Sequence, residues 1–448
     1  MKFQSSTFNV CILVALCFGA LLLCASGGEA RAGRNYSLGQ TRRRGAGRAA
    51  ENASALLVRA LELLRAGKVS EAEPLVRRAL AAEPGNADAH ALLGVILDQR
   101  GQAREAEAEY RAALRLKPGA VSPRANLGVL LARAGRAAEA AAEFEAVLRA
   151  APGHPQATFN LGLALFELKR YEEAAALLST PAAQAQNAPE ALYRLGLISV
   201  ARGRAEEAAE FWQRALTLRE NYPEVYFALA EELRRQRRYE GAAEFYERAV
   251  KQDPGRLVYR VRLGGVLMLL SRFDRALEVF TEATARFPDS AEAHYFAGIA
   301  ARGRGDYESA EGSLRRSLQL KPDSADALAQ LGFVVGERGR DAEAERILRQ
   351  AVAREARHFY ANYDLGRLLV RGRRYSEALK VLEAAARIRE SDPGVRYQMF
   401  LALSRLGRKD EAERELTLFR RLDEERKARR VGGVDEIEDA LPPAGEPE

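Results

Sequence analysis

The chain has 448 residues, of which 69 are Lys or Arg and 62 are Asp or Glu, so its formal net charge is +7. At about 150 residues per domain this length would hold roughly three globular domains, and so thin a spread of charge is not typical of a nucleic-acid-binding surface. The only cysteines are Cys11, Cys17 and Cys24, which excludes disulfide bonds and thiol catalysis from the rest of the sequence.

The first 30 residues combine a basic start with an apolar run over residues 10–25 and a small-residue segment over 26–30. This pattern resembles a secretory signal peptide. Because the run is shorter than the ~20 residues of a membrane-spanning helix, we expect cleavage near Ala30 and export to the periplasm or the cell exterior. The alternative is an uncleaved membrane anchor, with the rest of the chain either outside or inside the membrane. Six arginines between residues 31 and 48 then favour a cytoplasmic location for the rest of the chain, because positive charge tends to stay inside.

From residue 53 onward an alanine recurs every 34 residues. We number each repeat from 1 to 34 with this alanine at position 20, which is Ala72, Ala106, Ala140, Ala174, Ala208, Ala242, Ala276, Ala310, Ala344, Ala378 and Ala412. Position 8 is Gly in eight of the eleven copies, and position 24 is always large and apolar. Apolar residues spaced by three and four indicate two helices per repeat, which approach closely at the small residues. A period of this length predicts a solenoid.

The marked columns resemble the tetratricopeptide repeat. The eighth copy shows them as His294, Ala297-Gly298, Tyr307, Ala310, Leu314 and Pro322. The resemblance implies an all-α fold, a right-handed superhelix of eleven helix-turn-helix repeats over residues 53–426. These repeats leave no room for a separate catalytic domain.

Three segments depart from the repeat pattern. Residues 31–52 contain Arg and Gly and predict a basic, flexible linker, whereas 427–448 predict the end of a capping helix and an acidic, disordered tail. Between them, residues 179–189 replace the regular end of a second helix. We expect either a shorter helix with a longer loop at this seam, or a hinge.

Residues with catalytic or metal-binding chemistry are scattered. The four histidines, His90, His154, His294 and His358, belong to widely separated copies, and no zinc motif or phosphate-binding loop is present. We therefore predict no enzyme activity, no catalytic residues, no bound metal and no cofactor. His90 and His294 occupy position 4, where partly buried packing is expected.

We therefore expect the protein to act through a binding surface. The resemblance implies that the first helix of each repeat lines a concave groove through positions 2, 5, 6, 9, 12 and 13. The predicted partner-binding residues are Phe159, Tyr193, Phe227 and Tyr295 at position 5, and Asn126, Asn160, Arg194 and Arg262 at position 6. Two alternatives stay open, since part of the aromatic row would also suit packing against a neighbouring repeat and the polar row would suit a solvated face.

Asn126 and Asn160 each precede a Leu-Gly pair. They are similar in this to the repeats of O-linked N-acetylglucosamine transferases, in which such asparagines hold a peptide backbone, although the transferase domain is absent here. The prediction is a noncatalytic scaffold of the cell envelope that binds an extended peptide or a helix of a protein partner. The alternatives are a membrane-tethered assembly subunit and an accessory module of an enzyme. No nucleic acid is expected, and a membrane only through an uncleaved N-terminal segment.

Overall fold

The computed structural model of the protein describes residues 52–428. This part is built of α-helices and turns, without a strand, and it divides between Glu220 and Asn221 into an N-terminal unit and a C-terminal unit. The predicted signal peptide or anchor, the linker up to residue 51 and the tail from residue 429 lie outside the described residues. The expectation of an all-α solenoid of paired helices is confirmed.

The N-terminal unit contains repeats 1 to 5, each made of two consecutive helices. They are α1 (Ala53–Arg65), α2 (Val69–Ala82), α3 (Ala87–Gln99), α4 (Ala103–Leu116), α5 (Val121–Arg133), α6 (Ala137–Ala150), α7 (Pro155–Glu167), α8 (Tyr171–Leu178), α9 (Pro181–Ala201) and α10 (Ala205–Leu218). The first helices α3, α5, α7 and α9 pack side by side, whereas the second helices do not approach one another as closely. The first helices therefore form the inner face of this unit.

The C-terminal unit contains repeats 6 to 11. Its helices are α11 (Pro223–Arg235), α12 (Tyr239–Gln252), α13 (Leu257–Leu269), α14 (Phe273–Arg286), α15 (Ala291–Arg304), α16 (Tyr307–Leu320), α17 (Ala325–Glu337), α18 (Asp341–Arg354), α19 (Phe359–Arg371), α20 (Tyr375–Ile388), α21 (Pro393–Arg405) and α22 (Lys409–Ala428). Here too the first helices from α13 to α21 pack against one another.

The two helices of each repeat pack closely where the small residues of positions 8 and 20 lie. The alanines of position 20 are buried in all eleven repeats. A methyl group added to Gly94 would lie 2.7 Å from the ring of Tyr110, and one added to Gly128 would lie 2.7 Å from Phe144. Both contacts join position 8 to position 24 of the same repeat. Each of the other six position-8 glycines contacts the position-24 side chain of its own repeat in the same way. The predicted packing columns are therefore confirmed.

The turn between the two helices of a repeat has one backbone requirement. Position 15 has a positive φ in all eleven repeats. Seven repeats have Gly there, but Lys169, Arg237, Ser271 and Arg373 adopt the same left-handed conformation with φ between 57° and 59°. A side chain in this conformation costs about 1–2 kcal/mol, so these four turns are held against a local preference.

In six repeats a polar side chain at position 4 connects the first helix to the turn before it. Nε2 of His90 and of His294 lies 3.0 Å from the carbonyl oxygens of Pro84 and Pro288 respectively. Both histidines are partly buried, as expected from the sequence. These hydrogen bonds satisfy carbonyl groups at the end of the preceding repeat.

Arginines and glutamates join the second helices of neighbouring repeats. Arg136 contacts Glu107 of the preceding repeat at 2.8 Å and Glu139 of its own at 2.6 Å, while Arg111 contacts Glu107 at 2.8 Å. The C-terminal unit repeats this arrangement twice, in the groups Glu311, Arg315, Arg340, Glu343 and Glu345, Arg349, Arg374, Glu377. Because the arginines are largely exposed, solvent screens these pairs and each contributes little to stability.

The seam predicted at residues 179–189 has a definite geometry. Helix α8 ends early at Leu178, and α9 begins at Pro181 after the N-cap of Thr180. Asn187 interrupts α9 with a non-helical φ of −160°, so residues before it complete repeat 4 and those after it begin repeat 5. The division between the two units lies at Glu220, one repeat further along.

Candidate functional site

The first helices of repeats 3 and 4 place amide side chains without partners on the inner face of the N-terminal unit. Asn126 lies on α5 and is half-buried, and Asn160 lies on α7 and is 7% exposed. Neither amide forms a hydrogen bond with any residue in 52–428, and the same is true of Gln156 on α7. None of their amide atoms is completely enclosed. These three amides therefore have donors and acceptors that are not used within the described residues and that a ligand can reach.

Aliphatic side chains run beside these amides at position 9. They are Val129 on α5, which is buried, and Leu163 and Leu197 on α7 and α9, which are half-buried. Phe166 adds an aromatic ring at position 12 of α7. The inner face of repeats 3 to 5 is thus apolar with isolated amide groups.

The charged side chains of this face are already engaged. Nε of Arg194 donates to Glu190 at 2.9 Å, and the guanidinium lies 5.1 Å from the centroid of the Phe166 ring. Arg133 on α5 pairs with Asp98 on α3. Arg194, a predicted partner-binding residue, therefore has intramolecular contacts that a ligand would have to share or replace.

Phe159 and Tyr193 are only 7% and 5% exposed. The backbone carbonyl of Tyr193 accepts a hydrogen bond of 3.1 Å from the indole of Trp212, which ties α9 to α10. The burial of these two aromatic residues agrees with the alternative that part of the position-5 row packs against a neighbouring repeat. Rings at this burial present little surface to a ligand, whereas the amide of Asn160 keeps atoms that are not completely enclosed.

Three of the predicted residues lie in the C-terminal unit. Phe227 is buried between Tyr246 and Tyr259, with ring centroids 5.6 Å and 5.0 Å away, so it is a core residue. Arg262 is 1% exposed, and its Nε lies 3.0 Å from Glu231. We therefore leave both residues out of the candidate contact set. Tyr295 is half-buried with its ring 5.2 Å from Phe296, and it stays a prediction.

The network around Arg262 was not foreseen from the sequence. Glu231 accepts a hydrogen bond from the hydroxyl of Tyr246 and pairs with Arg234 at 3.0 Å. Burial and the neighbouring Glu231 carboxylate raise the pKa of Tyr246 well above its usual range, so this hydroxyl stays a donor. One feature of the sequence could have predicted this network. Glu231 occupies position 9, where all five N-terminal repeats have aliphatic residues.

The histidines and acidic side chains of residues 52–428 have structural roles or stand apart from one another. No group of His, Asp or Glu side chains there is arranged to hold a metal ion. His154 and His358 instead cap helices α7 and α19, where their Nδ1 atoms accept hydrogen bonds from backbone N–H groups. None of the helices in this range is long and apolar enough to cross a membrane.

Family models match most of the chain. Residues 57–121 and 126–187 match one model of the tetratricopeptide repeat, and residues 189–222 match another. Residues 220–433 match the C-terminal domain of cilia and flagella-associated protein 70. No curated protein that was compared with the chain matches it.

Solved structures are similar over parts of the chain. MamA from Desulfovibrio magneticus RS-1 is 21% identical, with 38% of this chain and 96% of MamA covered and a TM-score of 0.35. PilF from Pseudomonas aeruginosa is 24% identical, with coverage of 54% and 94% and a TM-score of 0.37. A thermophilic tetratricopeptide repeat protein from Thermus thermophilus, TTC0263, is 25% identical, with coverage of 41% and 99% and a TM-score of 0.35.

The repeat-model matches agree with the helix pairs and with the packing of position 8 against position 24. The chain belongs to the tetratricopeptide repeat family.

Proposed function

We propose that the protein is a noncatalytic scaffold that holds an extended segment of a partner protein against the first helices of repeats 3 to 5. Tetratricopeptide repeats serve as protein-interaction modules, which supports the scaffold role. The observation that carries the proposed site is the pair of unpartnered amides, Asn126 and Asn160, on adjacent first helices.

An asparagine amide is suited to a peptide main chain because it offers both a donor and an acceptor. Because these amides can be reached by water, a bound peptide exchanges their contacts with water for hydrogen bonds, at a net gain of about 0.5–1.5 kcal/mol each. Gln156 on the same helix as Asn160 offers a third amide. Main-chain recognition of this kind leaves the sequence of the ligand to the surrounding apolar side chains.

We propose that the protein acts in the cell envelope, as residues 1–30 would direct. N-terminal sequencing of the chain recovered from its host is expected to start near Arg31. A retained Met1 would instead support the membrane-tethered assembly subunit. Protease treatment of intact and opened cells then distinguishes the two orientations of that tethered form.

The peptide site is tested with the double variant Asn126→Ala and Asn160→Ala. Peptides selected on the full chain from a random display library are measured by fluorescence anisotropy against both proteins. Loss of two hydrogen bonds at about 0.5–1.5 kcal/mol each weakens binding by roughly 10-fold or more. The matched control is Gln213→Ala, which removes an exposed amide from the second helix α10 and is expected to leave binding unchanged.

Equal binding by the double variant and the original protein would show that the peptide site is elsewhere. Circular dichroism melts of all three proteins check that the variants are folded. An accessory role in an enzyme is tested separately, by adding the purified chain to the enzyme that is recovered with it and measuring turnover.

A further inference from the structure

The spacing of the first helices limits the conformation of the bound peptide. Helices α5, α7 and α9 pack side by side, and packed helices are about 8–10 Å apart. Asn126 and Asn160 occupy the same position on α5 and α7. A ligand that repeats its contacts from one protein repeat to the next must therefore present equivalent main-chain groups at about this interval.

Regular peptide conformations differ in that interval. A polyproline II helix has three residues per turn and rises about 3.1 Å per residue, so equivalent groups recur after about 9.3 Å. In a β-strand they recur after two residues, or about 6.7 Å. An α-helix has a pitch of about 5.4 Å and uses its own main-chain groups internally. Polyproline II is the conformation that matches the helix spacing and leaves its carbonyl groups open to an amide donor.

The side chains beside the amides limit the ligand's composition. Val129, Leu163 and Leu197 recur at position 9 of three successive repeats. A polyproline II ligand places one side chain toward this row in every third residue. Aliphatic side chains at that period bury apolar surface at about 25 cal/mol per Å².

The charges of the groove further limit the composition of the ligand. Arg133 and Arg194 are neutralised by Asp98 and Glu190, and Glu167, the remaining charged residue at the groove positions of repeats 3 to 5, is also engaged. A charged ligand side chain would lose water on an apolar face without gaining a counter-charge.

We propose that the N-terminal unit binds an uncharged peptide segment in the polyproline II conformation, with an aliphatic side chain at every third residue. This inference rests on the proposed function, because it describes the ligand of the same site. Amides of Asn126 and Asn160 donate to ligand carbonyl groups three residues apart. The row at position 9 receives the aliphatic side chains between them.

The test uses three capped peptides of equal length and the full chain. The first is (Pro-Ala-Leu)4, which is neutral with a period of three; the second is (Ser-Leu)6, which is neutral with a period of two. The third, (Pro-Glu-Leu)4, keeps the first pattern but adds acidic side chains. Isothermal titration calorimetry is expected to give the first peptide a Kd at least 10-fold lower than the other two.

Variants connect this preference to the site. The double variant Asn126→Ala and Asn160→Ala is expected to weaken binding of the first peptide at least 10-fold, and Leu163→Gln to weaken it several-fold. Gln213→Ala is expected to have no effect. Melting curves identify any variant that is unfolded, and Leu163→Gln provides a second measure should the double variant be unstable.

The outcomes separate the two proposals. If the period-two peptide or the acidic peptide binds as tightly as the first, and the asparagine variant weakens it, the peptide site stands and the polyproline II inference is overturned. If the first peptide binds and no variant weakens it, both proposals are overturned. Absence of binding by the first peptide, while library-selected peptides bind, overturns this inference alone.

Discussion

Position 6 of the first helix is polar in three repeats of the N-terminal unit and in four of the C-terminal unit, and its side chains are used differently. In the N-terminal unit Asn126 and Asn160 have no hydrogen-bond partner among the described residues. In the C-terminal unit Arg262 pairs with Glu231, and Gln330 accepts from Arg302. The partner comes each time from the preceding repeat.

This difference shows that one column of a repeat can either form an internal pair or leave its side chain unpaired. The choice depends on the side chain that the preceding repeat presents. Val129 at position 9 cannot pair with Asn160, whereas Glu231 at the same position pairs with Arg262. Gln398 of repeat 11 also forms no hydrogen bond among the described residues, but its neighbour in this column, Asp364, is engaged. Repeats 3 and 4 present two unpaired amides on adjacent first helices, so we place the peptide site in the N-terminal unit.

The largest effect is expected when the pair between Arg262 and Glu231 is broken. Glu231→Ala removes a carboxylate that pairs with the buried guanidinium of Arg262, and it also removes the acceptor of the Tyr246 hydroxyl. We expect a loss of about 3–5 kcal/mol in the stability of the C-terminal unit. Hydrogen exchange measured by mass spectrometry over residues 223–300 checks this, while binding at Asn126 and Asn160 is expected to persist.

Glu278→Gln is the control for that prediction, since Glu278 is exposed and its contact with Arg275 is 3.9 Å long. It is expected to change stability by less than about 0.5 kcal/mol. Equal protection of residues 223–300 in Glu231→Ala and the original protein would contradict a structural role for the pair.

A second prediction transfers the pair to the N-terminal unit. Asn160→Arg places a charge beside Val129 and is expected to destabilise the unit by roughly 3 kcal/mol. Adding Val129→Glu provides the counter-charge and is expected to restore more than half of that loss. Trp212, the only tryptophan of the chain, lies in this unit and reports its unfolding in urea.

Peptide binding is expected to be lost in both the single and the double variant of this transfer, because the amide is gone. Restored stability together with restored binding would show that position 6 does not contact the ligand. Failure of Val129→Glu to restore stability would show that the two units differ by more than this pair.

A third prediction concerns the turn between the two helices of a repeat, which is present in the repeats of both units. Lys169→Gly and Arg373→Gly remove a side chain from a left-handed backbone conformation, one in each unit. Each is expected to stabilise its unit by about 1 kcal/mol, after the entropy cost of glycine is included. Urea unfolding followed by Trp212 fluorescence checks Lys169→Gly. Lys169→Ala, which keeps the strain, should change the midpoint little.

The smallest expected effect depends on pH. Burial raises the pKa of Glu311, but hydrogen bonds from Arg340, Arg315 and Arg338 outweigh it, so the folded-state pKa lies below the usual value of 4.5. A depressed pKa stabilises the fold above the unfolded value, and that contribution is lost as pH falls through the folded value. We expect roughly 0.5 kcal/mol, because the arginines are partly exposed.

Thermal melts of Glu311→Gln and the original protein check this contribution. The original protein is expected to melt at a slightly higher temperature at pH 7, and the difference is expected to shrink as the pH falls below 4.5 and through the lowered folded-state pKa of Glu311. A difference that stays constant with pH would assign the effect to packing instead of charge.

Much of the fold was predictable because its determinants are local. Glycine at position 8 and the large side chain at position 24 belong to the same repeat, so their contact follows from two adjacent helices. The aromatic row was less predictable. Phe159 and Phe227 occupy the same position, and both are buried by neighbours that the repeat pattern does not specify.

The sequence by itself determined the repeat length, the helix pairs and the family, because each 34-residue repeat contains the small residues that set its own packing. Only the tertiary structure decided which polar side chains remain without partners. That property depends on a side chain of the preceding repeat and on the burial of both. Asn160 and Arg262 look alike as polar residues of one column, and their neighbours at position 9 make one a candidate contact and the other a structural ion pair.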